Sequence, residues 1–471
     1  MAKIYYFILL ILFIASNKLF AANVDIPLNN PIYFEIDRLR SLGHLQSLVT
    51  LSKPYNTYEV KEVLSNIQDK TLKNKVAELM REIERYQRNA LLDTSLDIYY
   101  TNKETRVSNY EGLFLSKDDI GSTLSTRLQY LFDNGFSLVA TPTFRYTHNE
   151  ADTFFRDTYL RYSFYNLNLT IGRESLWWGP GRHGTLLLSN NAKPIDMIRL
   201  NNDRSLRFDS LSFLGNIDFD ILFGRLSKQT GIVNPDRSLG SGNPKIFAAK
   251  ISISPSPYFE MGLYRTAIFG GADRPEDLST IWDVVFPFGD VENIASEEPG
   301  DQKGGLTMKI LLPNDVQPFT LYGEYAGEDE ANNLPSKFSY IVGLDLIDLA
   351  GTEGLNLNLE YLRMDESNAW YGHHLYKEGY TNDGFIMGHT HGGTGEEVNI
   401  ELTYQPNMTS TYNVGYQRET FKDESSATTM YVMARYRLGD KSEINTKLLG
   451  TSIDDDFRGF LKINYTYLLW Q

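Results

Sequence analysis

Hydrophobic and polar residues alternate one by one through most of the chain after about residue 94. In the first clear example Phe136, Leu138 and Ala140 alternate with Ser137, Val139 and Thr141. The same period of two recurs in 217–223, 355–361, 398–404 and 430–437. Successive side chains of a strand point to opposite faces, and roughly 9–11 residues of a tilted strand cross a membrane. Counting such segments to residue 470 predicts about 18 strands, an even number that suits a closed bacterial barrel.

The connections between these segments differ strongly in length. Tight turns are predicted at 133–135 and 165–166, and long loops at 174–205, 225–244, 269–304 and 365–396. Short turns at one end of the strands and long loops at the other are typical of outer-membrane barrels. The alternative is a soluble all-β protein, since its strands also alternate. The closing strand, 461–469, resembles that of an outer-membrane barrel, although Trp470 is followed by Gln471.

Residues 30–90 have the different period of amphipathic helices. Asn30 and Pro31 make a good helix start, and Asn56 followed by Glu59 resembles a capping box. A third stripe runs from Leu72 to Tyr86. We expect a small helical region, 22–93, that packs against or plugs the periplasmic mouth of the barrel, 94–471.

The first 21 residues have the pattern of a secretory signal peptide. A short positive start precedes the apolar run 4–15, and small residues stand at 21–22, where cleavage is expected. Loss of Lys3 and Lys18 with this leader would change the formal net charge from −15 to −17. An acidic chain of this kind lacks the basic face of a nucleic-acid-binding protein.

Composition also favours a membrane barrel over a soluble fold. The chain has 30 Tyr and 26 Phe, yet only 42% of its residues are hydrophobic. A polar lumen, a narrow lipid-facing band and aromatic girdles require that mixture. There is no cysteine in the sequence, which excludes a disulfide framework, a thiolate metal site and a cysteine nucleophile.

The segment 173–200 holds the most distinctive candidate chemistry. Two adjacent tryptophans are followed by a Gly-Pro-Gly turn, an arginine and a histidine. Tryptophan faces can stack on sugar rings, and Arg, Asn and His can donate hydrogen bonds to hydroxyls and carboxylates. The residues expected to contact carbohydrate are Trp177, Trp178, Arg182, His183, Asn190, Asn191 and Arg199. The alternative is that the paired tryptophans anchor at the membrane interface or wedge an inward-folded loop.

Two further clusters permit more than one interpretation. Residues 173–207 carry six positive and three negative side chains, which could hold an anionic glycan or pair with carboxylates on neighbouring strands. Four histidines, at 373, 374, 389 and 391, could bind a metal. Their glycine-rich segment imposes no fixed geometry, so we expect neither a metal nor another cofactor.

Signals for catalysis are weak. The sequence contains no nucleophile elbow, no P-loop and no HExxH zinc motif. A pair of glycosidase carboxylates would be defined by distance in space rather than by spacing in the chain. We therefore expect a non-enzymatic protein.

Three stretches resemble the Wzi capsule-assembly family. They are 176–184 (LWWGPGRHG) continuing through 187–192 (LLSNNA) to 197–200 (MIRL); 370–376 (WYGHHLY) with 388–393 (GHTHGG); and the start, 26–28 (IPL) with the 39–43 helix end. The resemblance spans nearly the whole mature chain. It implies an 18-stranded outer-membrane β-barrel with a small periplasmic helical bundle, and lectin-like attachment of capsular polysaccharide.

These observations lead to one principal hypothesis and two alternatives. The principal hypothesis is a Gram-negative outer-membrane barrel that binds capsular or other surface polysaccharide, contacts membrane lipid and lipopolysaccharide, and is a monomer. The first alternative is a porin-like diffusion channel for sugars or ions, with 174–205 as its constriction loop. The second is a partner of the capsule export machinery that docks through helices around Leu39, Leu79 and Ile83.

Overall fold

The computed structural model describes residues 21–148, 150–285, 300–331, 334–365, 370–423, 425–453 and 456–470. The predicted signal peptide, 1–21, lies outside this part of the chain except for its last residue. Strands dominate the described residues, and helices are few. The helices are α1 (Ile32–Ser41), α2 (Thr57–Ser65), α3 (Lys73–Tyr86) and α4 (Leu278–Val285).

The strand segments, numbered in chain order, are β1 (Ser52–Lys53), β2 (Ala90–Thr101), β3 (Thr105–Val107), β4 (Leu113–Leu115), β5 (Ile120–Leu131), β6 (Phe136–Ala140), β7 (Pro142–Thr147), β8 (Glu150–Phe155), β9 (Thr158–Phe164), β10 (Leu167–Arg173), β11 (Trp177–Trp178), β12 (Asp196–Asn202), β13 (Asn216–Arg225), β14 (Gln229–Val233), β15 (Leu239–Gly242), β16 (Lys245–Ser256), β17 (Phe259–Phe269), β18 (Gly300–Leu312), β19 (Phe319–Ala331), β20 (Leu334–Leu346), β21 (Leu355–Met364), β22 (Thr381–Asn382), β23 (Phe385–Ile386), β24 (Gly395–Asn407), β25 (Ser410–Phe421), β26 (Ser426–Leu438), β27 (Ser442–Ile453) and β28 (Asp456–Trp470).

A closed antiparallel barrel forms the body of the molecule. The first wall strand, β2, pairs with β5 on one side and with the last strand, β28, on the other. Segments β6 and β7 both pair with β5, so together they form one wall strand with a break. Segments β9 and β8 pair with β6 and β7 respectively, so they form the next wall strand, also with a break. Within the described residues the wall therefore has 18 strands, which confirms the predicted fold.

Burial along the wall is the reverse of that in a soluble protein. On β2 the apolar Ile98 is 48% exposed, whereas Asp97 is 2% exposed. On β24 Val398 is likewise exposed while Asn399 faces the interior. Apolar side chains that point outward and polar side chains that point inward are what a lipid-facing wall with a polar lumen requires.

The predicted connections are partly confirmed. Tight turns at 133–135 and 165–166 join consecutive wall strands, with positive φ at Gly135 and Tyr165. The predicted loop 174–205 is wrong at its end, because 196–202 form wall strand β12. The sequence missed this strand because its neighbouring prolines and asparagines resemble a continuing loop. Loop 225–244 contains the hairpin β14–β15, and 365–396 contains β22–β23; residues 286–299 and 366–369 lie outside the described part.

Three helices before the barrel form a small bundle, as predicted. Asn30 Oδ1 accepts the Ile32 N–H at 2.9 Å, and Asn56 caps α2 by accepting the Tyr58 N–H at 2.8 Å. Glu59 does not complete a capping box, since its carboxylate accepts hydrogen bonds from Ser205 instead. No helix in the described ranges has the length and apolar character needed to cross a membrane.

The side chains proposed as a docking face lie inside this bundle. Leu39, Leu79 and Ile83 are all fully buried among the helices, together with Ile36 and Leu64. The amphipathic stripes therefore serve the bundle's own core. These three side chains offer no surface to a partner, so docking through the helices around them stays a prediction that depends on the exposed faces of the bundle.

The bundle closes the end of the barrel at which the short turns lie. Arg38 pairs with Asp348 in the turn between β20 and β21 at 2.6 Å, and Glu78 accepts the Met408 N–H in the turn between β24 and β25 at 2.9 Å. The Arg40 guanidinium pairs with Glu260 at 3.1 Å, and both side chains are fully buried. We call this the bundle end of the barrel, and the opposite end, where the long loops lie, the loop end.

Candidate functional site

Two long loops leave the loop end and fold into the lumen. The first luminal loop, 174–195, follows β10, and the second, whose described part begins at Trp370 and ends at 394, precedes β24. Tyr371 Oη donates to the Leu186 carbonyl at 2.6 Å, and the Ser189 N–H donates to the Met387 carbonyl at 2.7 Å. The two loops share a buried apolar core with the inner wall. Together they occupy space in the lumen that an open porin would leave to water, while cavities of about 330 and 160 Å³ remain beside the bundle.

The adjacent tryptophans lie at the deep tip of the first loop, towards the bundle end. Trp178 pairs with Ser52 and Trp177 with Lys53, so that β11 and β1 form a two-stranded sheet between loop and bundle segment. Trp178 is 1% exposed, whereas Trp177 is half-buried and donates its indole N–H to the Gly181 carbonyl at 3.1 Å. Of the two readings of this pair, wedging an inward-folded loop describes its position.

The Gly-Pro-Gly turn after the tryptophans has no room for side chains. A Cβ at Gly179 would lie 1.7 Å from Glu324 Oε1, and one at Gly181 would lie 2.1 Å from the Gly184 carbonyl oxygen. The second carboxylate oxygen of Glu324 accepts the Leu186 N–H at 2.8 Å. The glycines thus let the loop backbone approach a buried wall carboxylate, which explains why the turn needs residues without a side chain.

Arg182 joins the loop tip to both the bundle and the wall. Its guanidinium donates to Asp37 of α1 at 2.6 Å and to Asp345 of β20 at 2.8 Å. The backbone N–H groups of Arg182 and His183 donate to Glu360 at 2.7 and 3.2 Å. The Arg182 guanidinium and these two backbone N–H groups are therefore all directed at protein carboxylates.

The charge around Asp37 fixes its protonation. Burial alone would raise the pKa of its carboxyl group, but Arg182, Lys53 and Lys309 outweigh that effect and hold the pKa well below its usual range. In the same place burial lowers the pKa of Lys53 to about 8, against the opposing attraction of Asp37. An ionised Asp37 is therefore built into the contact between the bundle and the luminal loop.

A second buried ion network links the N-terminal segment to the start of the same loop. Arg199 on β12 donates to Asp220 at 2.8 Å and to Glu174 at 2.6 Å. Arg161 bridges Glu174 and Asp25 at 3.0 and 2.8 Å. Arg199 is thus a wall residue that holds the loop's first residue.

The asparagine pair lies where the first loop returns towards the loop end. The Asn190 and Asn191 carbonyls accept the Glu111 and Gly112 N–H groups at 2.9 and 2.7 Å, and Asn191 Nδ2 donates to the Ile386 carbonyl at 2.9 Å. Asn190 also lines a polar cavity of about 160 Å³ next to the bundle. Its Oδ1 accepts no hydrogen bond from the described residues.

The seven predicted residues are therefore dispersed along one loop rather than gathered on one surface. Trp177, Trp178, Arg182 and His183 lie at the tip, the asparagines on the return, and Arg199 on the wall. The carboxylates of Asp37, Asp345 and Glu360, which bind the loop tip, were not predicted, since they come from three distant parts of the chain. Direct sugar contact by the seven residues stays a prediction, and their described contacts are with protein.

Five of the six positive side chains of the basic island 173–207 are paired with carboxylates of the described residues. Besides Arg182 and Arg199, the pairs are Arg173 with Asp196, Lys193 with Asp152 and Asp383, and Arg204 with Glu62. These contacts favour the structural alternative over a free anion-binding surface. A possible set of metal ligands in the described part, His391, Glu397 and Glu419, lies at the loop end instead.

One family model matches most of the chain. The family model described as capsule assembly protein Wzi matches residues 94–463. An uncharacterized 55.8 kDa protein from the cps region of Klebsiella pneumoniae is 27% identical over 201 residues, 42% of this chain and 38% of that relative's length.

Solved structures show the same fold. Wzi of Escherichia coli, described as a carbohydrate-binding β-barrel of the outer membrane involved in group 1 capsule assembly, superposes with a TM-score of 0.75 at 18% identity. The superposition covers 94% of this chain and 99% of that one. Pseudomonas aeruginosa OpdL superposes with a TM-score of 0.50 at 12% identity, over 81% of this chain and 99% of that one.

Proposed function

The chain belongs to the Wzi family of capsule assembly proteins, and we propose from this that it binds surface polysaccharide and helps to attach it to the cell without catalysing a reaction. One observation carries the proposal: two loops fold into the lumen and are joined to each other, to the wall and to the bundle. A barrel with a filled interior offers a rigid outer surface rather than a passage for solutes.

The arrangement of turns and loops supports an orientation in the outer membrane. In barrels of this kind short turns face the periplasm and long loops face outward. The bundle end, with its short turns at Asp348 and Met408, would then be periplasmic, and the loop end would meet polysaccharide outside the cell. An exported chain is expected to reach this membrane through its cleaved signal peptide, 1–21.

We infer that the glycan contacts the loop end through a surface formed by hairpins β3–β4 and β22–β23. The Arg106 guanidinium lies 5.0 Å from the centre of the Phe385 ring and donates to the Gly384 carbonyl at 3.2 Å. Beside them Lys193 pairs with Asp383 at 2.7 Å. An exposed arginine, a partly exposed ring and open space above Gly384 provide the donors and apolar face that a charged saccharide requires.

The seven residues predicted from the sequence would then act mainly by positioning this surface. Asn190 and Asn191 hold the chain of the β3–β4 hairpin through Glu111 and Gly112, and Asn191 also holds Ile386 of β23. The tip residues and Arg199 fix the other end of the same loop. A disturbance at the tip would therefore reach the outer surface through one continuous segment.

The test is the ratio of cell-associated to released polysaccharide in a strain that lacks the gene. We expect polymer to move into the medium while total synthesis stays unchanged, and wild-type protein to restore attachment. Complementation with Phe385→Ala plus Arg106→Ala should restore it only partly. Arg81→Ala, on the exposed face of α3, is the matched arginine control and should restore it fully.

An unchanged ratio in the deletion strain would refute the attachment role. In that case bilayer conductance would decide the porin alternative, since a steady open pore supports a channel and silence supports the filled lumen. Partners in the export machinery would require crosslinks on exposed bundle residues, because Leu39, Leu79 and Ile83 are buried.

A further inference from the structure

A histidine of the second luminal loop lies against two glutamates of the wall at the loop end. Glu397 on β24 and Glu419 on β25 are directly opposite each other in the strand register. His391 Nδ1 lies 3.6 Å from Glu397 Oε2 and 3.3 Å from Glu419 Oε1. All the donor atoms of this His-Glu-Glu cluster fall within 4.8 Å of one another.

Two carboxylates that face each other in this cluster favour a cation between them. Two carboxylates at directly opposed positions of neighbouring strands repel each other. Glu397 is 1% exposed, so water and salt screen this repulsion little. A divalent cation bound by a neutral imidazole would balance both carboxylates.

The donor atoms are held in place by the surrounding structure. The His391 ring stacks on Phe421, with centroids 5.1 Å apart and planes at 6°, and the His391 N–H donates to His389 Nδ1 at 3.2 Å. Glu397 Oε1 accepts the Asn399 amide, whereas its Oε2, which faces His391, accepts no hydrogen bond from any described residue. One buried carboxylate oxygen thus points into the cluster without a hydrogen-bond donor.

Two of the three separations in the cluster match those of metal ligands. Ligands about 2.1 Å from a tetrahedral Zn²⁺ lie roughly 3.4 Å apart, and the separations of Nδ1 from the two carboxylate oxygens are 3.3 and 3.6 Å. An imidazole nitrogen with two carboxylates suits a divalent transition-metal ion better than Ca²⁺ or Mg²⁺, which prefer all-oxygen sites.

We propose that His391, Glu397 and Glu419 bind a divalent transition-metal ion of the Zn²⁺ class, which ties the second luminal loop to the barrel wall. The sequence did not predict this site, because the glycine-rich segment around His391 gives no local geometry and neither glutamate belongs to it. The metal would act as a structural clamp between a loop and two strands.

The experiment titrates Zn²⁺ into the full-length barrel in detergent after chelator treatment and desalting. We expect one bound Zn²⁺ per chain by calorimetry and by elemental analysis, and little competition from a tenfold excess of Ca²⁺. Glu397→Gln and Glu419→Gln should each weaken Zn²⁺ binding at least tenfold. Zn²⁺ should slow hydrogen exchange in 387–394 of the wild type but not of either variant.

Glu396→Gln is the matched control, because this neighbouring carboxylate is half exposed and lies near Arg363 rather than His391. It should bind Zn²⁺ like the wild type, and heat-modifiable gel mobility would verify that every variant is a folded barrel. Absence of stoichiometric Zn²⁺ binding in the wild type, or full binding by the two glutamine variants, would overturn the proposal. The cluster would then be an ion triad of a protonated histidine with two carboxylates.

Discussion

Replacement of Trp178 by alanine should open the first luminal loop without unfolding the barrel. The indole is 1% exposed and lies in the apolar core shared by both loops. A fully buried tryptophan cut to alanine costs about 3–5 kcal/mol, from lost burial and the cavity left behind. The wall should keep its stability, because its strands are held by hydrogen bonds that Trp178 does not make.

This cost can be read amide by amide from hydrogen exchange. The Trp178 N–H donates to the Leu188 carbonyl at 2.8 Å, so its exchange requires the loop to open. Since about 1.4 kcal/mol corresponds to a factor of ten, exchange in 176–189 should accelerate by roughly 10²-fold to a few thousandfold in Trp178→Ala. Exchange of wall amides in β25 and β26 should not change.

Trp177→Ala is the internal control for the same measurement. Trp177 is half-buried and makes one side-chain hydrogen bond, to Gly181, so its loss should cost about 1–2 kcal/mol and accelerate exchange by roughly tenfold. Equal acceleration in the two variants, or acceleration in the wall as large as in the loop, would refute the view that Trp178 stabilises a separate luminal unit. A planar bilayer should also record intermittent openings for Trp178→Ala and silence for the wild type.

Three further predictions concern the connections of the bundle and the loop. Glu260→Ala breaks a fully buried ion pair and should weaken the docking of the bundle on the barrel by about 3–5 kcal/mol. The assay is the rate of proteolysis in 30–90, which should rise. Arg204→Ala removes one partner of an exposed pair and should have little effect on that rate. Gly181→Ala should distort the turn and give the loop exchange pattern of an opened state; unchanged exchange would contradict the clash at that position. Arg182 and two lysines hold the pKa of Asp37 below its unfolded value despite burial. Asp37→Asn should therefore destabilise the protein fully above about pH 4, and the loss of stability should shrink as the pH falls below that value. Denaturation midpoints from pH 2 to 7 would check this, and a difference that grows on acidification would exclude it.

The barrel could be predicted because its signal is local. The alternation in segments such as 398–404 indicates that apolar and polar side chains lie on opposite faces of the wall, and the tight turns indicate where the strands reverse. Strand β12 was not predicted, because its seven residues, 196–202, directly follow a long loop and are too few to show a clear alternation.

The site could be predicted only in its chemistry. The tryptophans, the glycine turn and Arg182 stand out in the sequence as an unusual set, but their depth in the lumen is not apparent from it. A loop that folds into the lumen and one that lies on the outer surface have the same local composition. The sequence therefore permits both positions, and the packing of the loop against the inner wall distinguishes them.

The sequence by itself determined the alternation of the wall strands, the apolar stripes of the three helices, and the asparagines at the start of the first two helices. These properties depend on residues within a few positions of one another, where backbone geometry is set by local sterics. The tertiary structure alone decided that Asp37 meets Arg182, that Arg199 holds Glu174, and that His391 faces Glu419. Those contacts follow from barrel closure and strand register, which place residues side by side that no local periodicity relates.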